Sequence, residues 1–561
     1  MTRLLILALG SFLLFPPQAL SQTAGGGFQT MMKITGRDEH VLFGFSMIVA
    51  GDLNGDQVPD YVIGDPSFDT GTVEDVGTVE AYSGATGLLL WQITGTDYWD
   101  QFGLELLAME DRNGDGIPEI LVSTNDEYTG EMQIFSGADG TFLEVLQLPV
   151  YAQGTARSMA SIADLDGDGV SDCILGRSNA DSNGLTGNGA VLVISGATLN
   201  VLWQQKGDIK HAALGSSVAS VGDVNGDGFD EVLSGATGAR PPGGYGSGSA
   251  FLYSGIDGQL LYRWDGDRPH QDFGSAVASA GDADGDGIPD CAVGAKSDAY
   301  GTGINQGSFS IYSGVDGRLL CKVYGQENSV LLGNSLATAG DVDLDGKDDL
   351  LVSSWEFKGR LHLYSGSSGI RLFTQEPERI SGSSTAKLGS EIIGLGDFNG
   401  DGNLNYLTSD PGADSNGSIY LMSFAPFIHT DTQSFSAATG DLIRYELDFP
   451  AEWAISPDLS YALLASGSGS GPTLISGYGV PLTADFLFQE TLAGHYPAFV
   501  QDGAGILDSE GKATVTLQIP PGAASPWIHQ SIYLAAISFE SAPGTHLVHG
   551  VSRAVSLTVL P

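Results

Sequence analysis

Seven short stretches hold the residues whose types and spacing could do chemistry. The first places Asp52, Asn54, Asp56, Val58 and Asp60 at positions 1, 3, 5, 7 and 9 of a turn, with Gly55 at position 4. The same offsets return at Asp111, Asn113, Asp115, Ile117 and Glu119, then at Asp164, Asp166, Asp168, Val170 and Asp172. They return again at Asp223, Asn225, Asp227, Phe229 and Glu231, and at Asp282, Asp284, Asp286, Ile288 and Asp290. The last two are Asp341, Asp343, Asp345, Lys347 and Asp349, and Asp397, Asn399, Asp401, Asn403 and Asn405. Positions 1, 3 and 5 offer carboxylate or amide oxygens on one side of a tight turn, position 7 a backbone carbonyl, and position 9 a further acid. Six to eight hard oxygens in flexible geometry are what Ca²⁺ requires. Glycine at positions 4 and 6 permits the backbone angles such a turn needs.

A helix-flanked EF-hand would carry a bidentate Glu at position 12. Here Ile63 and Leu175 stand there, so the turns read as β-hairpin calcium loops. Acidic turns also arise because Asp, Asn and Gly favour turns, but seven copies with acids at matching offsets exceed that preference. The seventh site is expected to be the weakest, with only Asp397 and Asp401 charged, and the sixth lacks glycine at position 4, where Leu344 stands.

Spacings between the first acids are 59, 53, 59, 59, 59 and 56 residues. Each unit holds four strand-like pieces, the last two joined by a Ser-Gly turn such as Ser83-Gly84 or Ser254-Gly255. Four short strands per unit, repeated seven times, predict an all-β chain with a seven-bladed β-propeller. The seventh unit lacks a fourth strand, and residues 28–34 resemble the fourth strands of other units. That N-terminal strand is therefore expected to complete blade seven. Trp91, Trp203 and Trp264 fall in fourth strands and read as core.

The units resemble the FG-GAP repeats of the integrin α-chain propeller. Phe-Gly occurs at Phe43-Gly44, Phe102-Gly103 and Phe273-Gly274, and Leu-Gly at Leu214-Gly215, Leu332-Gly333 and Leu388-Gly389. The GAP element is degenerate, as in Gly235-Ala236-Thr237, and unit three has lost Phe-Gly, with Thr155-Ala156 in its place. The resemblance implies Ca²⁺ between the first two strands of each blade and ligand binding on the opposite face.

The chain has 561 residues and a formal net charge of −45, from 68 Asp+Glu against 23 Lys+Arg. A nucleic-acid binder needs a basic footprint, which is absent. The apolar run over residues 4–15, after Arg3, reads as the core of a secretory leader spanning residues 1–21. It is too short for a membrane span. Cys173, Cys291 and Cys321 are the only cysteines and read as small core residues rather than a disulfide framework. The propeller is placed at residues 28–424. Alternation such as Ile443, Tyr445, Leu447 against Arg444, Glu446 predicts a β-sandwich over residues 427–561. His546 and His549 in that segment read as surface residues.

No hydrolase elbow, zinc-protease motif or phosphate-cradling loop is present. The expected function is a secreted, non-catalytic calcium-binding propeller recognising an extracellular protein or carbohydrate. A calcium-dependent polysaccharide lyase or glycosidase on the same scaffold is the alternative, since acid pairs across blades leave no sequence signature. Aromatics in the loops opposite the acidic turns, Tyr98, Trp99, Tyr128, Tyr245, Tyr300, Trp355 and Phe357, are the candidate ligand contacts, with Trp99 and Trp355 foremost.

Metal that binds only the folded chain stabilises it by mass action. A chelator is therefore expected to lower the melting temperature. Coincident melts with and without chelator would make the turns acidic decoration.

Overall fold

The computed structural model describes residues 27–425 apart from 38–41, 71–72, 126–130, 148–154, 242–243, 245, 302, 343–345, 356–358, 376–386, 399–403 and 414–415. From residue 428 onward it describes the strands named below and a few residues between them. The leader at 1–21, Tyr128, Tyr245 and Phe357 lie outside the described residues, as do the side chains of His546 and His549.

Strands form four at a time. Blade one is β2 (Ser46–Gly51), β3 (Asp60–Asp65), β4 (Thr78–Tyr82) and β5 (Leu89–Thr94). Blade two is β6 (Leu106–Met109), β7 (Glu119–Ser123), β8 (Met132–Ser136) and β9 (Phe142–Leu146). Blade three is β10 (Ser158–Ile162), β11 (Asp172–Arg177), β12 (Ala190–Ile194) and β13 (Val201–Lys206). Blade four is β14 (Leu214–Ser220), β15 (Val232–Ala236), β16 (Ser249–Tyr253) and β17 (Leu260–Asp265). Blade five is β18 (Phe273–Gly281), β19 (Asp290–Ala295), β20 (Ser308–Tyr312) and β21 (Leu319–Tyr324). Blade six is β22 (Leu336–Gly340), β23 (Asp349–Ser354), β24 (Arg360–Tyr364) and β25 (Arg371–Gln375). Each is an antiparallel meander in chain order.

Blade seven is β26 (Ile392–Gly396), β27 (Asn405–Asp410) and β28 (Ser418–Ala425), and its fourth strand is β1 (Gly27–Thr35). Ile34 pairs with Ile419 and Thr35 with Ser418, so the two ends of the propeller close one sheet. The fourth-strand likeness of this N-terminal segment had a physical basis: it fills the slot that the seventh unit leaves empty.

The second strand of every blade is buried along its whole length. It lies inside a sheet that is itself covered on both faces by neighbouring blades. Such strands need apolar residues on both sides, which explains runs such as Ile120–Val122 rather than alternation. Fourth strands lie at the rim and are partly exposed, as in β17 and β21. Apolar clusters fill the junctions between blades one and two, two and three, three and four, four and five, five and six, and seven and one.

Directional contacts fix the blades' rotation. Phe102, Leu214, Phe273, Leu332 and Leu388 form isolated bridges to Gly77, Gly189, Gly248, Gly307 and Gly359 of the preceding blade. The following glycines, Gly103 and Gly274 among them, adopt φ between +83° and +85°, which favours glycine. The indole Nε1 of Trp91 donates to Gly137 O at 2.6 Å and that of Trp264 to Gly317 O at 2.8 Å, each in the next blade. Trp203 donates likewise to Gly255 O. Cys173 and Cys291 are buried and Cys321 is half-buried, all as free thiols.

Beyond the propeller, β29 (Ile428–His429), β31 (Asp441–Asp448), β37 (Lys512–Ile519) and β35 (Val500–Gln501) make one sheet. A second contains β30 (Ser434–Ser436), β40 (Val555–Leu560), β38 (Ser531–Ala542), β32 (Leu459–Ser466) and β36 (Ala504–Ile506), with β39 (Thr545–Val551) paired to β38. A hairpin of β33 (Thr473–Ile475) and β34 (Tyr478–Val480) stands apart. Ile443, Tyr445 and Val515 of the first sheet share a buried cluster with Leu463, Leu534 and Val559 of the second. The same cluster includes Phe373, Tyr406 and Phe424 of blades six and seven, so this core is continuous with the propeller. No helix among the described residues is long and apolar enough to cross a membrane.

Removing β1 would leave the paired edge of β28 open, and open edges template aggregation. A chain starting at Gly36 is expected to melt lower and to form soluble aggregates on size exclusion. Unchanged elution and an unchanged melt would show that β1 does not hold the ring.

Candidate metal centre

Each acidic turn joins the first and second strands of its blade and is wound by its own side chains. In blade three, Asp164 accepts from the backbone N–H of Gly167 at 2.7 Å and of Gly169 at 2.7 Å. Asp166 accepts from Asp168 N at 3.1 Å, and Asp168 from Val170 N at 2.9 Å. Blade five repeats the set, Asp282 accepting from Gly285 N and Gly287 N at 2.7 and 2.8 Å. Asp52, Asp111 and Asp223 do the same in blades one, two and four. In blade six, Asp341 accepts from Gly346 N at 3.0 Å. The turn is therefore shaped by Asx-type bonds.

The ninth-position acid opens the second strand and is buried in blades one to six, at Asp60, Glu119, Asp172, Glu231, Asp290 and Asp349. Where it is Asp it is clamped from two sides. Asp172 accepts from Leu165 N at 2.9 Å and from Gly196 N, in its own blade's Ser-Gly turn, at 2.9 Å. Asp290 accepts from Ala283 N at 2.9 Å and Gly314 N at 3.0 Å, and Asp60 from Leu53 N at 2.8 Å and Gly84 N at 2.9 Å. A Cβ on Gly84 would lie 1.9 Å from Pro59 O, and one on Gly255 1.9 Å from Asp230 O. The Ser-Gly turn is glycine because it rests on the backbone of the acidic turn.

Asp164, Asp166 and Asp172 bring oxygens within 4.8 Å of one another, as do Asp282, Asp284 and Asp290. Short, hard, anionic oxygens around one point fit Ca²⁺, with remaining positions left to backbone carbonyl and water. Asn54, Asp56, Asn113, Asp115, Asn225, Asp227 and Asp286 are exposed on their turns, so positions 3 and 5 there face solvent. Val58, Ile117, Val170, Phe229, Ile288 and Lys347 at position 7 are half-buried. Asp343, Asp345, Asn399, Asp401 and Asn403 lie outside the described residues; Asp397 is exposed, and buried Asn405 accepts from Phe398 N at 2.9 Å.

Charge is distributed unevenly along the turn. The sixth-position backbone N–H holds the carboxyls of Asp52, Asp111 and Asp164 below the usual carboxylate range. Burial raises Asp60, Glu119 and Asp172. Burial likewise pushes Glu231 up to about 7 and Asp290 up to about 6. One residue of this region escaped the sequence pattern. Arg318, just after the Ser-Gly turn of blade five, donates to Asp284 at 2.8 Å and neutralises part of that turn. Its only local sign is a basic residue after Gly317, and turn-on-turn packing supplies the rest.

The ligand candidates lie on the other face, where loops join second to third strands and blade to blade. Trp99 is 53% exposed with φ of 63°, and its neighbour Tyr98 is 60% exposed. Their ring centroids are 5.7 Å apart, and Tyr98 Oη donates to Glu74. Trp355 is half-buried: its Nε1 donates to Ser390 Oγ at 3.2 Å, and Lys387 Nζ sits 4.8 Å from its ring centroid. Tyr300 is 58% exposed and stacks 4.7 Å from Tyr324.

The raised ninth-position acids set a pH dependence. Their folded-state proton affinity exceeds the ordinary value, so the metal-free fold loses stability as pH rises through about 6 to 7 at Asp290 and Glu231. Bound metal requires those protons to leave. The calcium-induced rise in melting temperature is therefore expected to be larger at about pH 8 than at about pH 5. Glu231→Gln should flatten blade four's share of that trend. Equal increments at both pH values would remove these acids from the metal site.

Two repeat families match this chain: an FG-GAP-like repeat over residues 111–175 and an FG-GAP repeat over residues 214–253. The chain is 30% identical to integrin alpha-V of Gallus gallus over 163 residues, 27% of this chain and 15% of that protein. It is 26% identical to integrin alpha-5 of Xenopus laevis over 262 residues, 45% of this chain and 20% of that protein. It is 33% identical to phosphatidylinositol-glycan-specific phospholipase D of Rattus norvegicus over 162 residues, 26% of this chain and 19% of that protein. The matches thus span a fifth or less of these relatives' length. The acidic turns, the inter-blade bridges and these matches agree on a β-propeller of FG-GAP-like repeats, similar to that of the integrin α chains.

Proposed function

We propose that this protein is a secreted, calcium-loaded propeller that binds an extracellular protein or glycan through the face opposite its acidic turns. The reading takes residues 1–21 as the leader, 28–424 as the binding unit and 427–561 as a β-sandwich set against blades six and seven. Up to seven Ca²⁺ ions hold the turns, the seventh least strongly because two of its five positions are carboxylates.

One observation carries the ligand face: Tyr98 and Trp99 stand more than half exposed on the segment entering blade two, far from the acidic turns. Trp99 N bonds to Glu74 O at 3.3 Å and Gln101 N to Asp75 O at 3.0 Å, so the neighbouring loop of blade one supports the pair. Rigidly presented aromatics beside polar loops suit a sugar face or a protein loop. Trp355 offers a second, flatter contact through its pairing with Lys387. The repeat is shared by proteins named as integrins and by one named as a phospholipase, so the likeness supports the scaffold and a recognition role rather than a reaction.

Glycan and protein arrays probed with the calcium-loaded chain are expected to identify the ligand. Trp99→Ala is then expected to weaken binding by about tenfold or more without moving the melt. Trp355→Ala should weaken it less, because that ring is partly covered. Wild-type affinity in both variants, or loss only through unfolding, would place the site elsewhere.

A further inference from the structure

The acidic turns of blades three and five are a matched pair. Both carry Asp at positions 1, 3, 5 and 9 and glycine at positions 4 and 6, and no other turn does. Both bind their first Asp to the N–H groups of those glycines and clamp their ninth from the same two sides. Both bring oxygens of the first, third and ninth residues within 4.8 Å of one another. With equal donors, a difference in cation affinity must come from what surrounds them.

One surrounding group differs in charge. The fifth residue after the serine of the Ser-Gly turn is Leu88, Thr141, Asn200, Gln259, Arg318 and Ile370 in blades one to six, so only blade five places a cation there. Arg318 Nη2 donates to Asp284, the third residue of the acidic turn, at 2.8 Å. In blade three, Asn200 turns to its own loop, its amide donating to Thr198 Oγ1 at 3.1 Å.

Neighbouring blades do not cancel this difference. Glu110 and Arg112 of blade two reach blade three, Glu110 accepting from Ser171 N at 3.1 Å and Arg112 donating to Ala197 O at 2.9 Å. Asp348 and Lys347 of blade six reach blade five. Asp348 accepts from Asp282 N at 2.9 Å, and a Cβ on Gly285 would lie 3.3 Å from Lys347 Cε. Each turn thus receives one acid and one base from a neighbour. What remains is the direct bond of Arg318 to a ligand carboxylate.

A guanidinium on a ligand carboxylate weakens that ligand's hold on a metal, because the bond is lost or shared and two positive charges approach. Asp284 is half-buried where Asp166 is exposed, so solvent screens the contact less in blade five. Asp316 lies 3.5 Å from Arg318 Nε and offers the guanidinium a second partner when a metal takes Asp284.

We propose that Arg318 is a built-in counter-ion that lowers the cation affinity of the blade-five turn, so that blade three fills first and blade five only at higher Ca²⁺. The proposal rests on the calcium reading of the turns and adds an order to their filling. The Arg318 side chain is 58% exposed, which keeps the effect to about three- to tenfold in affinity.

Crystals of the full chain soaked at limiting Mn²⁺ as the probe provide the test, by anomalous difference maps. The wild-type peak in blade five is expected to trail that in blade three. Arg318→Gln should bring the two level, and Arg318→Lys, which keeps the charge, should retain a lag. In solution, Arg318→Gln should melt lower than wild type in chelator and show a larger calcium-induced rise, whereas a merely structural arginine would cost the same in both conditions. Equal wild-type peaks at limiting Mn²⁺, or a lag unchanged in Arg318→Gln, would overturn the proposal and leave the calcium reading in place. No peak in either turn at saturating Mn²⁺ would overturn the calcium reading itself, and the proposal with it.

Discussion

The carboxylate at the ninth position of the acidic turns in blades one to six is the contact on which the propeller's organisation rests. It opens the second strand and lies buried, and in blades one, three, five and six it accepts backbone N–H bonds both from the acidic turn and from the Ser-Gly turn of the same blade. A buried anion is tolerated only when its oxygens are satisfied. Here two turns distant in sequence satisfy it together, and both must take their native shape for either to do so. A cation held by the turn would add a third partner to the same group. At Asp172 and Asp290, whose oxygens cluster with those of their turns, scaffold and metal chemistry would share a side chain.

Between blades a different principle operates. The blade-to-blade clusters are apolar and non-directional, so they favour contact without fixing rotation. The Phe-Gly bridges and the indole bonds to the next blade's Ser-Gly turn supply the direction. Among the described residues, five blade junctions are held by such a backbone bridge and three of them also by an indole at the rim. Closure through β1 extends the arrangement around the ring and leaves no innermost sheet without a neighbour. The core shared by blades six and seven with the C-terminal sheets gives this part of the rim a cover.

The two faces divide their work for a physical reason. The acidic-turn face is overdetermined: in blades one to five the turns share the glycine at position 4 and the bonds that their first Asp accepts. The opposite face has loops of unequal length, in which exposed aromatics such as Trp99 stand beside buried anchors such as Phe102.

Repeat number, period, acidic turns and the closing strand were all legible in the sequence, because each is a local pattern copied at nearly constant spacing. The burial of Trp91, Trp203 and Trp264 was legible for the same reason. Tertiary structure alone decided the contacts between copies. The glycine of the Ser-Gly turn looked like turn preference, yet a close carbonyl of the acidic turn demands it. Trp355 reads like Trp99 in sequence, but Lys387 and Ser390 from the next blade cover it. Arg318 meets Asp284 across a sequence gap that no periodicity links. A repeat encodes its own turn and strands, whereas the curvature of the assembled ring determines which side chains of different repeats arrive at the same point.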